Sequence, residues 1–240
     1  MGEFDGDVRE AVMEFWRTRA AQMKGRGKGR RGVRDGRSAV TDGKQMNGFV
    51  DLVSRLLVAA GTPTDSVFTG RRLELPGWFR AEKQWDLVVV HRGRLLAAVE
   101  FKSQVGPSFG NNFNNRTEEA LGSATDLWAA YREGAFAPSG RPFLGYLMLL
   151  EDCERSREAV QVQEPHFRVF AEFNGASYGK RYEVLVQKLL RDRVYDGACL
   201  LLSEKSAAAS GDFVEPNAEL AFHRLVRPLI AQVTAAIREG

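Results

Sequence analysis

A chain of 240 residues, 44% of them hydrophobic, can bury a substantial core. No apolar run approaches the ~18–20 residues that cross a bilayer, and the acidic, polar start MGEFDGDVRE excludes a signal peptide, so a cytoplasmic protein is expected. The formal net charge of +3 decides little by itself, but residues 24–37 (KGRGKGRRGVRDGR) carry seven basic residues and one acid, +6, which leaves the rest at −3.

In chain order, Val8, Ala11, Val12, Phe15, Trp16, Ala20 and Met23 recur at helical spacing and predict an amphipathic first helix. The basic stretch follows. Its five glycines and like charges predict a flexible segment with no regular element. It is either a DNA-embracing arm, with Arg30 and Arg31 among its cations, or a solvated loop. Met46, Phe49, Val50, Val53, Leu56, Leu57 and Ala60 predict a second helix, stopped at Gly61. Residues 66–75 read as strand or turn and lead through Pro76-Gly77 into a hairpin.

Two apolar runs, 87–90 and 95–99, flank the polar His91-Arg92-Gly93-Arg94 and read as paired strands. With the turn centred on Gly93, Asp86 falls opposite Glu100. Alternation puts Glu100 and Lys102 on one face and Phe101 on the other. Two adjacent carboxylates repel unless a cation joins them, and Mg²⁺ is the first choice among hard divalent ions. The lysine would orient or help deprotonate an attacking water, or stabilise a phosphate. The pattern acid-x-Lys alone says nothing, since 31 acids and few lysines give about one chance occurrence. The chain has it also at Asp42-Gly43-Lys44, and only strand context and the opposed Asp86 separate the two. The alternative is a solvated salt bridge at a strand end.

After Lys102, residues 105–115 are read as a non-helical loop, given Gly106-Pro107, Gly110 and the asparagines. Asn115-x-x-Glu118 reads as a capping box for a helix with Ala120, Leu121, Ala124, Leu127, Trp128 and Tyr131 on one face. The loop offers asparagines to base edges and phosphates, or is a structural turn. Residues 143–150 predict a buried strand, 168–173 a strand or connector, 180–193 a helix and 197–203 a last strand. Residues 206–215 read as a loop, and 220–237 as a helix broken at Pro228. Cys153 and Cys199 are expected as buried free thiols, and the three histidines show no zinc spacing. The whole is α/β, a mixed central β-sheet flanked by helices. Asp51 and Glu118 are further carboxylates that could reach the site or remain surface acids.

Asp86 with Glu100-x-Lys102 resembles the metal site of the PD-(D/E)XK nuclease fold. The stretch 99–122 (VEFKSQVGPSFGNNFNNRTEEALG) resembles the signature region of the XhoI-type Type II restriction endonucleases. GKQMNGF (43–49), LPGWFRAEKQWD (75–86) and GASYGKRYEVL (175–185) are similar to other blocks of that family. Trp85 stands where the general pattern has proline. The resemblance implies one endonuclease domain over residues 1–240 that cuts double-stranded DNA within a palindromic hexanucleotide, 5′-CTCGAG-3′ for the type enzyme, leaving a 5′ overhang. It implies Mg²⁺, a homodimer and a cognate DNA methyltransferase. Asp86 and Glu100 would be metal ligands, with the Phe101 carbonyl completing the set, and Lys102 would serve the attacking water and the scissile phosphate. Asn111, Asn112, Asn114, Arg116, Lys180 and Arg181 are candidates for reading bases. A structure-specific repair or junction nuclease of the same fold, and a non-catalytic DNA-binding module, are the alternatives.

Overall fold

The computed structural model describes residues 2–26 and 44–239, residues 24–26 by backbone alone. Its elements run α1 (Asp5–Arg26), α2 (Asn47–Ala59), β1 (Val67–Thr69), β2 (Glu74–Pro76), β3 (Glu82–Gln84), β4 (Leu87–His91), β5 (Arg94–Gln104), α3 (Phe109–Arg132), β6 (Phe143–Glu151), α4 (Tyr178–Arg191), β7 (Gly197–Ser203) and α5 (Phe222–Arg238). The main sheet has the order β1-β4-β5-β6-β7. Its first two pairings are antiparallel and the other two parallel, so it is the mixed α/β sheet that the sequence predicts. β2 and β3 pair separately as a small antiparallel sheet.

The strands β6 and β7 are apolar on both sides because both sides are covered. Phe15 and Trp16 of α1, Phe49 of α2 and Leu225 of α5 belong to one apolar cluster, together with Leu87, Val99 and Phe101. Ala124 and Leu127 of α3 and Tyr182 and Leu189 of α4 belong to the other, together with Val88 and Ala98. Each helix contributes its apolar stripe to one cluster, and alternate residues of each strand are divided between them.

Several local expectations are corrected. The asparagine-rich stretch is helical: α3 begins at Phe109, with Asn115 inside the helix instead of capping it. Asparagine costs at most about 0.7 kcal/mol per residue against alanine in a helix. Against that, Phe109 is buried and stacks on Tyr178 at 5.7 Å, and Phe113 meets the edge of Tyr182 at 5.1 Å. Burying such rings contributes about 1.5–3 kcal/mol each, and their i, i+4 spacing holds the first turns against α4. The helix α5 is not broken at Pro228. The proline ring is exposed, while Leu225, Val226, Leu229 and Val233 on either side of it are buried.

The helix α1 runs through residues 24–26 of the basic segment, since one glycine near a helix end costs only about 1 kcal/mol. Met23, expected on its apolar stripe, is exposed. The rest of that segment, with Arg30 and Arg31, lies outside the described residues. Within residues 168–173 there is a single turn, Ala171–Phe173. Residues 206–215 hold a short helix, Ala207–Ser210, and a bridge from Val214 to Leu202. Cys199 is buried and Cys153 half-buried, and both are free thiols. No described helix is long and apolar enough to cross a membrane.

Candidate active site

The hairpin β4–β5 sets the site. Its turn is the two-residue Arg92-Gly93, both at positive φ (49° and 74°), the conformation of a tight hairpin turn. His91 therefore pairs with Arg94 and Val90 with Leu95, but Val89 pairs with Ala97. One extra residue, Leu96, is inserted in β5 as a bulge. Beyond it the register runs Val88 to Ala98 and Leu87 to Val99. Extended by one step, it sets Asp86 opposite Glu100, the register expected from a turn centred on Gly93.

The two carboxylates and Lys102 share the sheet face covered by α3 and α4, since Val88 and Ala98 of the same parity belong to that cluster. Asp86 Oδ2 accepts a hydrogen bond from the Phe101 N–H at 2.7 Å. In a strand the N–H and C=O of one residue point to the same side, so the Phe101 carbonyl faces the Asp86 edge as well.

Glu100 is 3% exposed and carries two ammonium groups. Lys83 Nζ lies 2.6 Å from its Oε2, and Lys102 Nζ contacts its Oε1. Burial works against the charge on Glu100, but Lys102 and Lys83 outweigh it and hold the carboxyl below the usual range. Asp86 goes the other way. Burial, then repulsion from Glu100, push its carboxyl up to about 6, against the pull of Lys102, the Phe101 N–H and Lys83. Burial opposes the charge on Lys102 also, yet Glu100 and then Asp86 hold its ammonium above the ordinary lysine value. Lys102 is thus a cationic hydrogen-bond donor in this state.

Would these residues fit a divalent cation? The donors are all oxygen: two carboxylates and a backbone carbonyl at one strand end. Repulsion from Glu100 helps push the Asp86 carboxyl up, and Glu100 itself is paired with two ammonium groups. No group of three or more His, Cys, Asp or Glu gathers as a metal cage among the described residues. Mg²⁺ needs none, because it keeps several waters and is held by one or two carboxylates plus substrate phosphate. The set fits such an ion.

Comparison with known proteins decides the family. The family model described as restriction endonuclease XhoI matches residues 22–215. The chain belongs to the XhoI family of restriction endonucleases. It is 53% identical over 202 residues to the Type II restriction enzyme BstVI of Geobacillus stearothermophilus, covering 82% of this chain and 90% of that one. It is 46% identical over 192 residues to the Type II restriction enzyme XhoI of Xanthomonas vasicola, covering 79% and 77%. With the Type II restriction enzyme AbrI of Azospirillum brasilense the identity is 49% over 170 residues, covering 70% and 76%. No solved structure matches the chain at a significant level.

In this XhoI-family chain, Asp86, Glu100, Phe101 and Lys102 line one large cleft. From α3, Asn112, Arg116, Glu119 and Ser123 line it too, at the spacing of a single helix stripe. Of the candidate DNA-contacting residues, the structure therefore brings Asn112 and Arg116 to the site. Asn111 and Asn114 are exposed on other faces of α3. Lys180 pairs with Glu183 at 3.0 Å. Arg181 donates to the carbonyls of Ala176 and Val160, at 3.2 Å each, and holds the loop before α4. Neither lines the cleft. Asp51 borders the cleft from α2, and Glu118 is exposed outside it.

Lys83 is the site residue that sequence reasoning missed. It belongs to β3 and lies over the Trp85 ring at 4.2 Å, the i, i+2 neighbour on one strand face. That alternation is visible in the sequence once β3 is read as a strand. Trp85 also accounts for the absent proline. Its N–H donates to the Leu73 carbonyl at 3.0 Å, a bond that proline cannot make.

Proposed function

We propose that this chain is a Type II restriction endonuclease of the PD-(D/E)XK fold, hydrolysing phosphodiester bonds of double-stranded DNA at the palindrome 5′-CTCGAG-3′ with a 5′ overhang. The observation that carries this is the convergence of Asp86, Glu100 and Lys102 on one sheet face, lining a cleft together with Arg19, Lys44, Arg80, Lys83 and Arg116. Asp86, Glu100 and the Phe101 carbonyl would hold Mg²⁺. Such an ion supplies neutralisation of developing phosphate charge and a lowered pKa for water. Lys102, held as an ammonium, donates to the scissile phosphate or orients the attacking water. Arg116 faces the same cleft, and among the described residues nothing bonds its buried Nε. A phosphate or base acceptor would complete it.

A palindromic target fits a two-fold homodimer, each copy serving one strand. Host DNA then needs protection by a cognate methyltransferase. The residues around 30–31 and Lys180 would add phosphate contacts, and Asn112 and Arg116 are the foremost base readers. The test is incubation of the purified protein with sequenced plasmid, in Mg²⁺ and in EDTA, followed by sequencing of fragment ends. Discrete Mg²⁺-dependent fragments ending at CTCGAG are expected, and none from Glu100→Gln or Lys102→Ala proteins that remain folded. Full cutting by Glu100→Gln refutes the site. Discrete ends at another sequence refute the target alone.

A further inference from the structure

The loop 77–81 joins β2 to β3, and its backbone is locked by one buried side chain. Asp126 of α3 is 3% exposed. Its Oδ1 accepts from the backbone N–H groups of Trp78 and Phe79, both at 2.8 Å, and its Oδ2 accepts from Arg80 Nε at 2.7 Å. Gly77 completes the cradle, since a Cβ there would overlap the Asp126 carboxylate and crowd the Arg80 carbonyl. The loop is thus fixed from below by hydrogen bonds to a charged acceptor, which are the strong kind.

What this frame presents is two bare aromatic rings. Trp78 is 55% exposed and Phe79 73%. Neither ring is needed to hold the loop, because the contacts that do so are made by backbone and by Arg80. Rigid exposed aromatics bind with little loss of side-chain freedom.

Their position selects the partner. Arg80, the next residue, lines the same cleft as Asp86, Glu100 and Lys102, and Lys83 on the following strand touches Glu100. The aromatics do not line that cleft themselves but adjoin it through Arg80. In the same stretch of chain Arg80 and Lys83 are paired with Asp126 and Glu100, and Arg71 and Arg72 stand against Glu74 and Glu82, so it is position beside the cleft that points to DNA.

We propose that Trp78 and Phe79 form a preorganised aromatic wedge that stacks on bases of the substrate duplex beside the scissile phosphate, with Asp126 as its positioning residue. The proposal rests on the nuclease reading. Apolar wedges unstack base steps and bend the duplex toward the protein, and one stacked base changes affinity by roughly tenfold.

Trp78 makes the test direct, because it is the exposed one of four tryptophans: Trp16 and Trp85 are buried, Trp85 beside the cleft, and Trp128 is half-buried. Intrinsic fluorescence is followed while a short duplex, carrying the sequence read from wild-type fragment ends, is added in Ca²⁺. Wild type should be quenched by the duplex, and Trp78→Phe should bind with most of the quench gone. Trp78→Ala/Phe79→Ala should keep its fold by circular dichroism and lose roughly tenfold or more in kcat/KM, with Trp78→Phe losing less. Wild-type cutting matched within about twofold by the double variant overturns the wedge and leaves the nuclease reading standing. A quench in Trp78→Phe as deep as in wild type does the same. If the double variant is a monomer by sedimentation where DNA-free wild type is a dimer, the rings pair two copies and the wedge is wrong. A wild type that neither cuts nor binds DNA overturns both readings.

Discussion

Replacing Asp86 by asparagine should abolish cleavage and stabilise the metal-free protein. Asp86 is held near a pKa of about 6, against an ordinary 3.8, by burial and by Glu100. Because the folded carboxyl keeps its proton longer than the unfolded one, the contribution of Asp86 to stability is fullest below pH 3.8. It falls as pH rises to about 6 and stays reduced above that. At about 1.4 kcal/mol per pH unit, the interval amounts to about 3 kcal/mol. The asparagine of Asp86→Asn is neutral throughout, and its carbonyl can still accept from the Phe101 N–H. The stability gap between the variant and wild type should therefore widen by about 2.4 kcal/mol between pH 4 and pH 8, since about 0.6 kcal/mol of the interval is already lost at pH 4. Urea denaturation in EDTA at pH 4, 6 and 8 measures it. Mg²⁺ should then raise the stability of wild type more than that of the variant. A gap that is flat with pH, or a variant less stable than wild type at pH 8, refutes the claim that burial and Glu100 dominate at Asp86.

Three further outcomes are expected. Lys83→Gln removes a cation that competes for Glu100, so Mg²⁺ titration of cleavage should show a half-maximal concentration lower by roughly fivefold or more; an unchanged or higher value refutes the competition. Asp126→Ala strands two backbone donors and Arg80 together, so urea melts should show a loss of about 2–4 kcal/mol, together with loss of the fluorescence quench by DNA. Phe109→Ala empties a buried aromatic site at the start of α3 and should cost about 3 kcal/mol or more; a smaller loss means that the asparagine turns hold without it.

The placement of the candidate triad was legible because it is local. Asp86, Glu100 and Lys102 sit within one hairpin, and period-two alternation places them. The asparagine-rich turns were not legible, since their helix depends on Tyr178 and Tyr182, which lie far along the chain. Read as a helix, the same residues resolve at once: Asn112 and Arg116 share a stripe with Glu119, while Asn111 and Asn114 point elsewhere. Lys83 was hidden for a related reason. A three-residue strand between glycine, proline and charged residues gives no hydrophobic period of its own, and it is fixed by Trp85 packing and by the buried Asp126 cradle. Pro228 shows the opposite failure, a strong local signal overruled by the buried stripe on either side.

The hairpin also shows how little separates the candidate active site from an ordinary strand pair. With the observed turn at Arg92-Gly93 and no bulge, Asp86 would oppose Val99. Opposed residues share a face, and Val99 belongs to the cluster on the α1, α2 and α5 side. The carboxylate would then be carried away from Glu100, into the apolar core. The extra Leu96 moves the register by one residue and returns Asp86 to the cleft face. Leu96 and Ala97 both pack in the α1, α2 and α5 cluster, which breaks the alternation at that point and anchors the bulge. The same insertion that interrupts a ladder of hydrogen bonds brings two like charges together, which destabilises the metal-free fold. Both are costs that a purely structural hairpin would have no reason to bear, and they fall at the pair of carboxylates that the proposed function assigns to a cation.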